Sequence, residues 1–275
     1  MKKSMFKKVI GIIGITMVAG LVLAGCSSKS SDKSVTKIQN KKTLVVGTSA
    51  DYAPFEFPIV KNGSKQIVGY DMMLAKKIAD NLGVKLKIVN TEFPSLISEL
   101  KNNKVDLVMA GMVSTAQRKK VVAFSKSYYT VYNVMLVQKD KANDFNTISS
   151  LANKSIGAQQ TTTQESIGKS QLPKSNLVTE ASLTSLTTEL ANGKLSGVIV
   201  EKAIADNYVK TYPDKYAIAK VKLTTPKDAR QINVAVRKSD KALKNRVNKV
   251  ITKLKKSGQL DKMFKKAEDL QAKYK

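Results

Sequence analysis

Arg118 is the first residue whose type and position point to a chemical role. Ser114 and Thr115 are good N-cap residues, so Arg118 is predicted to lie in the first turn of the helix that follows them. Only four of the 48 basic residues are arginines, and a cation in this turn faces the positive end of the helix dipole. A guanidinium binds a carboxylate through two parallel hydrogen bonds, and helix N–H groups can complete the anion site. The same pattern also fits a surface arginine paired with an acid or with solvent.

Glu201 is the second candidate and carries the opposite charge. It follows the apolar residues 197–200, which predict a buried strand, and it lies where the next helix begins. A carboxylate in that place either satisfies helix N–H groups or accepts an ammonium group from a ligand. A guanidinium and a carboxylate on opposite sides of a cleft would together bind both charged ends of a zwitterion.

Aromatic and polar residues near other strand ends are further candidates. Tyr52 follows a polar turn after the first predicted strand, a position typical of a pocket wall, and Phe93 begins a helix after the second strand. Core packing is the usual role of such aromatic residues. The polar residues 159–164 precede a helix in the second half, and their hydroxyl and N–H groups can cap that helix or hold a ligand carboxylate.

Composition excludes several kinds of catalytic and metal site. The chain has no histidine, which excludes Ser–His and Cys–His nucleophile pairs and histidine-ligated metals. Its single cysteine, Cys26, excludes an intrachain disulfide and a thiolate cluster. The sequence has no GxxxxGK[ST] segment for binding the phosphates of ATP. Composition does not forbid catalysis, which would have to use carboxylates, lysines and hydroxyls. We expect no catalytic residues, no metal and no cofactor.

The elements that position these residues alternate between strand and helix. Strands are predicted at residues 43–48, 85–90, 106–109, 132–138, 154–158, 177–179, 197–200 and 232–236. Helices are predicted at residues 71–82, from 94, from 115, and at 162–169, 182–192, 201–210 and 240–257. This alternation predicts two α/β lobes of roughly 100 residues each, with mostly parallel sheets flanked by helices. Ligands of such sheets bind beyond the carboxyl ends of the strands, where the candidates above are found.

The N-terminal segment is typical of an exported lipoprotein. Lysines precede the apolar residues 9–23, a run that is short for a membrane span but fits a secretory signal. Residues 23–26, Leu-Ala-Gly-Cys, resemble a bacterial lipobox, which implies cleavage after residue 25 and a lipid on the sulfur of Cys26. We expect a signal peptide at residues 1–25, a flexible tether at residues 26–40, and anchoring by the lipid to the cell membrane.

The net charge of +27 raises the question of an anionic partner. Nucleic acid would be one, but an export signal argues against it, so we expect no nucleic-acid partner. The excess of lysine over arginine favours a solvated surface, and anionic lipid and polymer at the cell surface give the charge another partner.

Six segments occur in an order that is informative as a whole. They are LVVGTSADYAPFEF (44–57), VGYDMMLAKKIADNLG (68–83), FPSLISELKNNKVDLVMAGM (93–112), TAQRKKVVAFSKSYY (115–129), SIGAQQTTTQES (155–166) and GVIVEKAIAD (197–206). Together they resemble the polar amino-acid-binding proteins of ABC importers, a family with the two-lobed Venus-flytrap fold. The resemblance covers residues 41 to about 266.

The resemblance implies a discontinuous architecture and a transport role. Lobe 1 would contain residues 41–131 plus 229–275, lobe 2 would contain residues 132–228, and two strands would form the hinge. The protein would be a monomer that closes on a polar amino acid and delivers it to the permease and ATPase subunits of an importer. It would act outside the cytoplasm, anchored by lipid, in a Gram-positive bacterium.

The resemblance also implies a set of substrate-binding residues, which are Ser49, Tyr52, Phe93, Gly111, Val113, Arg118, Gln159, Thr162, Thr163 and Glu201. Tyr52 and Phe93 would form the aromatic walls. Arg118, with the backbone of Gly111 and Val113, would bind the α-carboxylate of the ligand.

The remaining members of this set would complete the site. Thr162 and Thr163 would add the second lobe's part of the carboxylate clamp. Glu201 would accept the α-ammonium group, and Ser49 and Gln159 would contact the ligand side chain.

Three positions depart from the pattern of the family. Val113 replaces the usual serine or threonine, which leaves the backbone N–H group for the carboxylate. Thr161 replaces a common glycine. Ser49 replaces an acid found in binders of cationic amino acids, and this replacement favours an uncharged ligand such as glutamine.

Two other functions are compatible with these observations. An enzyme on the same fold, a dehydratase or a murein lyase, would need an acid or base beyond the binding set, and no motif supplies one. A surface adhesin would use the positive charge to bind an anionic polymer.

Overall fold

The computed structural model describes residues 32–274 of the chain. The predicted signal peptide, Cys26 and the first part of the predicted tether lie outside the described residues. Within the described part, no helix is both long enough and apolar enough to cross a membrane.

Two five-stranded sheets and one hairpin form the framework. The strands are β1 (Thr43–Thr48), β2 (Phe57–Lys61), β3 (Ser64–Val68), β4 (Lys85–Asn90), β5 (Leu107–Val108), β6 (Ala123–Thr130), β7 (Asn133–Gln138), β8 (Ser155–Gln159), β9 (Asn176–Glu180), β10 (Gly197–Glu201), β11 (Tyr216–Ile218) and β12 (Gln231–Val236). The helices are α1 (Ser34–Asn40), α2 (Tyr70–Leu82), α3 (Leu96–Lys101), α4 (Ala116–Lys119), α5 (Thr163–Gln171), α6 (Leu183–Ala191), α7 (Lys202–Thr211), α8 (Lys241–Lys256) and α9 (Gln259–Lys273).

The first sheet has the strand order β4-β1-β5-β12-β6. Strand β1 runs parallel to β4 and β5, while β12 runs antiparallel to β5 and β6. Helix α8 packs on β6 through a stripe of apolar side chains that the spacing predicted, namely Leu243, Val247, Val250, Ile251 and Leu254. Burial of this stripe follows from its helical repeat, which places all five side chains on one face.

The second sheet has the strand order β11-β7-β10-β8-β9. Strand β8 runs parallel to β9 and β10, while β7 runs antiparallel to β10 and β11. Helices α5, α6 and α7 pack on this sheet. The predicted α/β class and two-lobed fold are therefore confirmed. Each sheet is mixed, because β7 enters the second sheet from the first half, β12 returns to the first sheet from the second half, and both run antiparallel to their neighbours.

Two chain segments connect the sheets and lie side by side. The first joins β6 to β7, and the second precedes β12. The Val131 N–H group donates to the Arg230 carbonyl oxygen at 2.9 Å, and the Asn133 N–H group donates to Thr225 Oγ1 at 2.8 Å. Asn133 is buried, so this pairing is shielded from water where the chain passes from one half to the other.

The predicted tether is wrong for residues 32–40, because this stretch forms the docked helix α1. Ile38 is buried among core side chains, and Asp32 accepts a hydrogen bond from the Ala242 N–H group at the start of α8. Ser34 Oγ accepts from the Leu243 N–H group at 3.2 Å. The prediction rested on the polar composition of this stretch. It missed that the side chains of Asp32 and Ser34 can accept hydrogen bonds from N–H groups in the first turn of α8.

The hairpin of β2 and β3 was not predicted, although the sequence carries its signal. Asn62 and Gly63 form its two-residue turn, with φ angles of 49° and 74°. Two consecutive residues with positive φ are what a type I′ turn requires, and Asn-Gly is the favoured pair.

Candidate functional site

A small cavity lies between the two halves. Its lining comes from the loops after β1, β4 and β5, the start of α4, the ends of β8 and β10, and the start of α5. All ten residues predicted as substrate-binding line it, namely Ser49, Tyr52, Phe93, Gly111, Val113, Arg118, Gln159, Thr162, Thr163 and Glu201. Four further lining residues were not singled out from the sequence, namely Asp51, Glu56, Ala110 and Gln164.

Arg118 lies in the first turn of α4, as predicted, with its N–H group 3.2 Å from Thr115 Oγ1. Its guanidinium is buried 5.1 Å from the centre of the Phe93 ring. Nη1 donates to the Val113 carbonyl oxygen at 2.7 Å and Nη2 to the Thr161 carbonyl oxygen at 2.8 Å. Burial lowers the pKa of Arg118 to about 10, so the group stays charged at neutral pH. Because Val113 and Thr161 belong to different halves, this side chain joins the halves across the cleft.

Backbone donors beside Arg118 add to the positive potential. Within residues 32–274, the N–H groups of Val113 and Thr163 have no hydrogen-bond acceptor. Thr162 caps α5, since its Oγ1 accepts from the Glu165 N–H group at 3.2 Å and donates to the Gln159 carbonyl oxygen at 2.6 Å. The hydroxyl of Thr162 is therefore used within the protein, and the helix N-terminus offers an anion its backbone N–H groups.

Gly111 has a backbone conformation that suits glycine, with φ at +55°. A Cβ at this position would lie 3.1 Å from two atoms of the Tyr52 ring, so a side chain would disturb the aromatic wall. The Gly111 N–H group donates to Asp71 Oδ2 at 3.0 Å. The Gly111 N–H group is therefore occupied, which corrects the expectation that this backbone helps to bind a carboxylate. Its carbonyl oxygen is left for a ligand, and an oxygen acceptor suits an ammonium group.

Glu201 ends β10 and is only 2% exposed. Its side chain makes no capping hydrogen bond to α7, which argues against the structural role that the sequence left open. Oε2 is buried and has no hydrogen-bond partner in the described part of the chain. Burial raises the pKa of Glu201 to about 7, against the lowering effect of neighbouring Tyr52, Gln164 and Arg118. A ligand ammonium group would supply the missing partner.

Asp51 makes the second polar contact that crosses the cleft. Its Oδ2 accepts a hydrogen bond of 2.7 Å from the Leu183 N–H group, at the start of α6. Ser49 Oγ donates to Asp51 Oδ1 at 3.2 Å, and the Gln159 amide donates to the Ala181 carbonyl oxygen at 2.8 Å. The two residues predicted to contact the ligand side chain are thus held in place by contacts on either side of the cleft.

Glu56 is a fully buried carboxyl group in the wall of the cavity. Neither of its oxygens has a hydrogen-bond partner among residues 32–274. Burial and the nearby carboxylate of Asp71 raise the pKa of Glu56 well above its ordinary value. One signal for Glu56 was present in the sequence, because it is the single acid within the apolar residues 53–60.

The charged groups of the site suit an organic ligand with several charges. In the described residues, no group of three or more histidine, cysteine, aspartate or glutamate side chains is placed to hold a metal ion. Arg118 and the free N–H groups form a positive region, whereas Asp51, Glu56 and Glu201 make the rest of the wall acidic. This distribution suits a ligand that carries both an anionic and a cationic group.

Residues 44–267 match the family described as bacterial extracellular solute-binding proteins, family 3. The arginine-binding extracellular protein ArtP of Bacillus subtilis is 33% identical over 266 residues, which cover 95% of this chain and 98% of that protein.

Solved structures share the fold over most of the chain. A substrate-binding protein of an amino-acid ABC transporter from Streptococcus pneumoniae, bound to L-arginine, is 38% identical with a TM-score of 0.83 and covers 86% of this chain and 98% of its own. The ancestral amino-acid-binding protein AncCDT-1, a precursor of cyclohexadienyl dehydratase, is 35% identical with a TM-score of 0.74 and covers 84% of this chain and 97% of its own.

Proposed function

We propose that this chain binds L-arginine. It belongs to the bacterial extracellular solute-binding proteins, family 3, and captures an amino acid for an ABC importer. The observation that carries the proposal is the buried Glu56, which lines the cavity and whose two carboxyl oxygens have no hydrogen-bond partner in the described residues. Ionising a buried carboxyl group without a partner costs several kcal/mol, and a ligand cation offsets that cost.

Three regions of the site would bind the three charged groups of arginine. The α-carboxylate would lie against Arg118 and the N–H groups of Val113 and Thr163. The α-ammonium group would donate to Glu201 and to the Gly111 carbonyl oxygen. Tyr52 and Phe93 line the space between these groups and are available as apolar walls.

The guanidinium of the ligand would pair with Glu56, and Asp51 adds negative potential nearby. This interpretation replaces the glutamine-like ligand that Ser49 favoured. Ser49 lacks the acid of related binders, but this chain has the acids Asp51 and Glu56 two and seven residues further on. A neutral glutamine amide would leave the Glu56 carboxyl group without a countercharge. The names of the relatives, which bind arginine, point in the same direction.

Calorimetric titration of the full-length chain with arginine, citrulline and glutamine tests the proposal. Citrulline keeps the length and the α-groups of arginine but replaces the guanidinium with a neutral urea. We expect arginine to bind at least about 100-fold more tightly than citrulline, because a buried charge pair is worth roughly 3 kcal/mol or more. Equal affinities, or tighter binding of glutamine, would refute it.

A dehydratase is the second candidate, favoured by one observation. The raised pKa of the buried Glu56 would suit a general acid. We nevertheless infer a binding role without catalysis, because each charged group of the cavity has an assignment in ligand capture. Incubation with a prephenate-like substrate should give no product, and turnover would establish the enzyme instead.

We also propose that the lipobox at residues 23–26 anchors the protein through Cys26 to the outer face of the cell membrane, where it acts as a monomer. The motif and the family of extracellular binding proteins support this location. Cys26→Ser should move the protein from the membrane fraction to the medium. Unchanged fractionation would contradict the lipid anchor.

A further inference from the structure

Glu56 and Asp71 form a buried pair of carboxyl groups at the edge of the cavity. Both side chains are fully buried. Asp71 Oδ2 accepts from the Gly111 N–H group at 3.0 Å and from the Tyr128 hydroxyl at 2.9 Å, while Asp71 Oδ1 has no partner among the described residues. The Asp71 N–H group donates to the carbonyl oxygen of Phe55, the residue before Glu56, at 3.0 Å, and the neighbouring Asp71 carboxylate raises the pKa of Glu56. Two acceptors face each other here without a donor between them.

The groups around this pair add negative charge or none. Asp51 and Glu201 raise the pKa of Glu56 further. Burial, Glu201 and Glu56 raise the pKa of Tyr52, and burial, Asp71 and Glu56 raise the pKa of Tyr128, so both hydroxyls stay neutral.

Arg118 is a buried cation in the cavity wall, and its guanidinium donates to the Val113 and Thr161 carbonyl oxygens. No salt bridge reaches Glu56 or Asp71 within residues 32–274. Two adjacent carboxyl groups in such surroundings cannot both ionise.

Resting on the proposed function, we propose that Glu56 and Asp71 share one proton in the ligand-free protein and that Glu56 releases this proton to solvent when the ligand guanidinium binds. The step balances in charge, because one proton leaves as one guanidinium enters. Glu56 then changes from a hydrogen-bond donor toward Asp71 into a carboxylate paired with the ligand. Asp71 is a positioning residue, since it acts through Glu56 and does not line the cavity.

The exchange makes the pair selective for cationic side chains. A neutral side chain cannot replace the proton, so it binds without this release. Below the apparent pKa of the pair, the affinity for arginine should rise with pH by up to about tenfold per pH unit, because fewer protons then compete with the guanidinium. The affinity for citrulline should lack this contribution.

Calorimetry in several buffers of different ionisation enthalpy measures the protons released. Glu201 can also release a proton when it meets the α-ammonium group, but arginine and citrulline share that group. The difference between the two ligands on the wild-type full-length chain therefore isolates the guanidinium. We expect arginine to release close to one proton more than citrulline at pH 6 to 7.

Variants assign the proton to the pair. Glu56→Gln should abolish the excess release. Burial still raises the pKa of Glu56 in Asp71→Asn, but the neighbouring carboxylate no longer does, so this variant should release less of the excess proton and its arginine affinity should change with pH at lower pH values. The matched control is Glu92→Gln, which removes an exposed glutamate and should leave the proton count unchanged. Equal proton release by arginine and citrulline on the wild-type chain would overturn the proposal.

Infrared spectroscopy separates this inference from the identity of the ligand. Glu201, with a pKa of about 7, contributes to the band of protonated carboxyl groups at neutral pH in every variant that keeps it, so the comparison is between chains. The ligand-free wild-type chain should show a stronger band than Glu56→Gln. If the band is stronger and arginine does not bind, the proposed function fails while the shared proton stands. If the two chains give equal bands, the shared proton is refuted whatever the ligand.

Discussion

Replacing Arg118 by lysine keeps the positive charge and removes the planar fork, so it tests whether geometry or charge is needed. The guanidinium uses two of its five N–H donors on carbonyl oxygens of opposite halves, at 2.7 and 2.8 Å. The other three are left for the ligand carboxylate. A lysine ammonium group has three donors at one point and cannot reach both carbonyl oxygens and the carboxylate together.

The expected magnitude follows from the contacts that lysine cannot make. Hydrogen bonds to a charged group contribute about 1.5–3 kcal/mol each, and the substitution removes at least one between protein and ligand and one across the cleft. We expect a loss of about 3 kcal/mol, or a factor of about 150 in Kd. Calorimetric titration with arginine measures the factor directly.

Arg237→Lys is a matched control for this substitution. Arg237 also donates to two carbonyl oxygens, those of Leu100 and Val105, at 3.1 and 2.7 Å, and it forms an ion pair with Asp240. It does not line the cavity, so its replacement should lower the free energy of unfolding without changing Kd. A Kd for Arg118→Lys within about threefold of the wild type would show that the fork is not part of the clamp.

Three further predictions concern stability and closure. Thr161 has a φ of +60°, a strained conformation for a β-branched residue, so Thr161→Gly should raise the free energy of unfolding by about 1 kcal/mol in urea denaturation, and a decrease would contradict the strain. Because burial raises the pKa of Glu201 from 4.5 to about 7, the folded state binds the extra proton, and stability of the ligand-free protein should fall by up to about 3 kcal/mol between pH 4.5 and pH 8. Glu201→Gln should flatten that fall in denaturation curves, and an unchanged slope would assign it to other groups. Asp51→Ala removes the 2.7 Å hydrogen bond to the start of α6 and should speed ligand dissociation about tenfold in stopped-flow measurements, whereas an unchanged rate would mean that this contact does not hold the cleft closed.

Local sequence patterns predicted the elements and strand ends well, because burial and helix capping depend on neighbouring residues. The apolar stripe of α8 and the place of Arg118 in the first turn of α4 both follow from spacing within a few residues. The resemblance to a family then added the ten substrate-binding positions, which lie on distant loops, and all ten line the cavity. The Thr161 departure from glycine was also visible in the sequence, and its positive φ shows why glycine is common there.

What local patterns missed are contacts between distant segments. Helix α1 is short and polar, and its stability depends on Asp32 and Ser34 meeting the first turn of α8, some 210 residues away. The Gly111 N–H group was free for a ligand in the sequence argument, and it is occupied because Asp71 lies behind it. No pattern within either segment indicates that the two meet.

The choice of ligand depends on the same kind of long-range contact. An acid at the start of a helix, such as Asp71, is ordinarily explained by the helix dipole, and that explanation calls for no ligand. Once the fold buries Asp71 beside Glu56, the pair has more acceptors than donors, and the deficit can be met by a proton or by a cation. A protein that bound a neutral side chain would gain nothing from keeping this deficit next to its cavity, since an amide in place of Glu56 would satisfy Asp71 directly. On the proposed function, the carboxyl pair is therefore better explained by pairing with a ligand cation than by the stability of the fold.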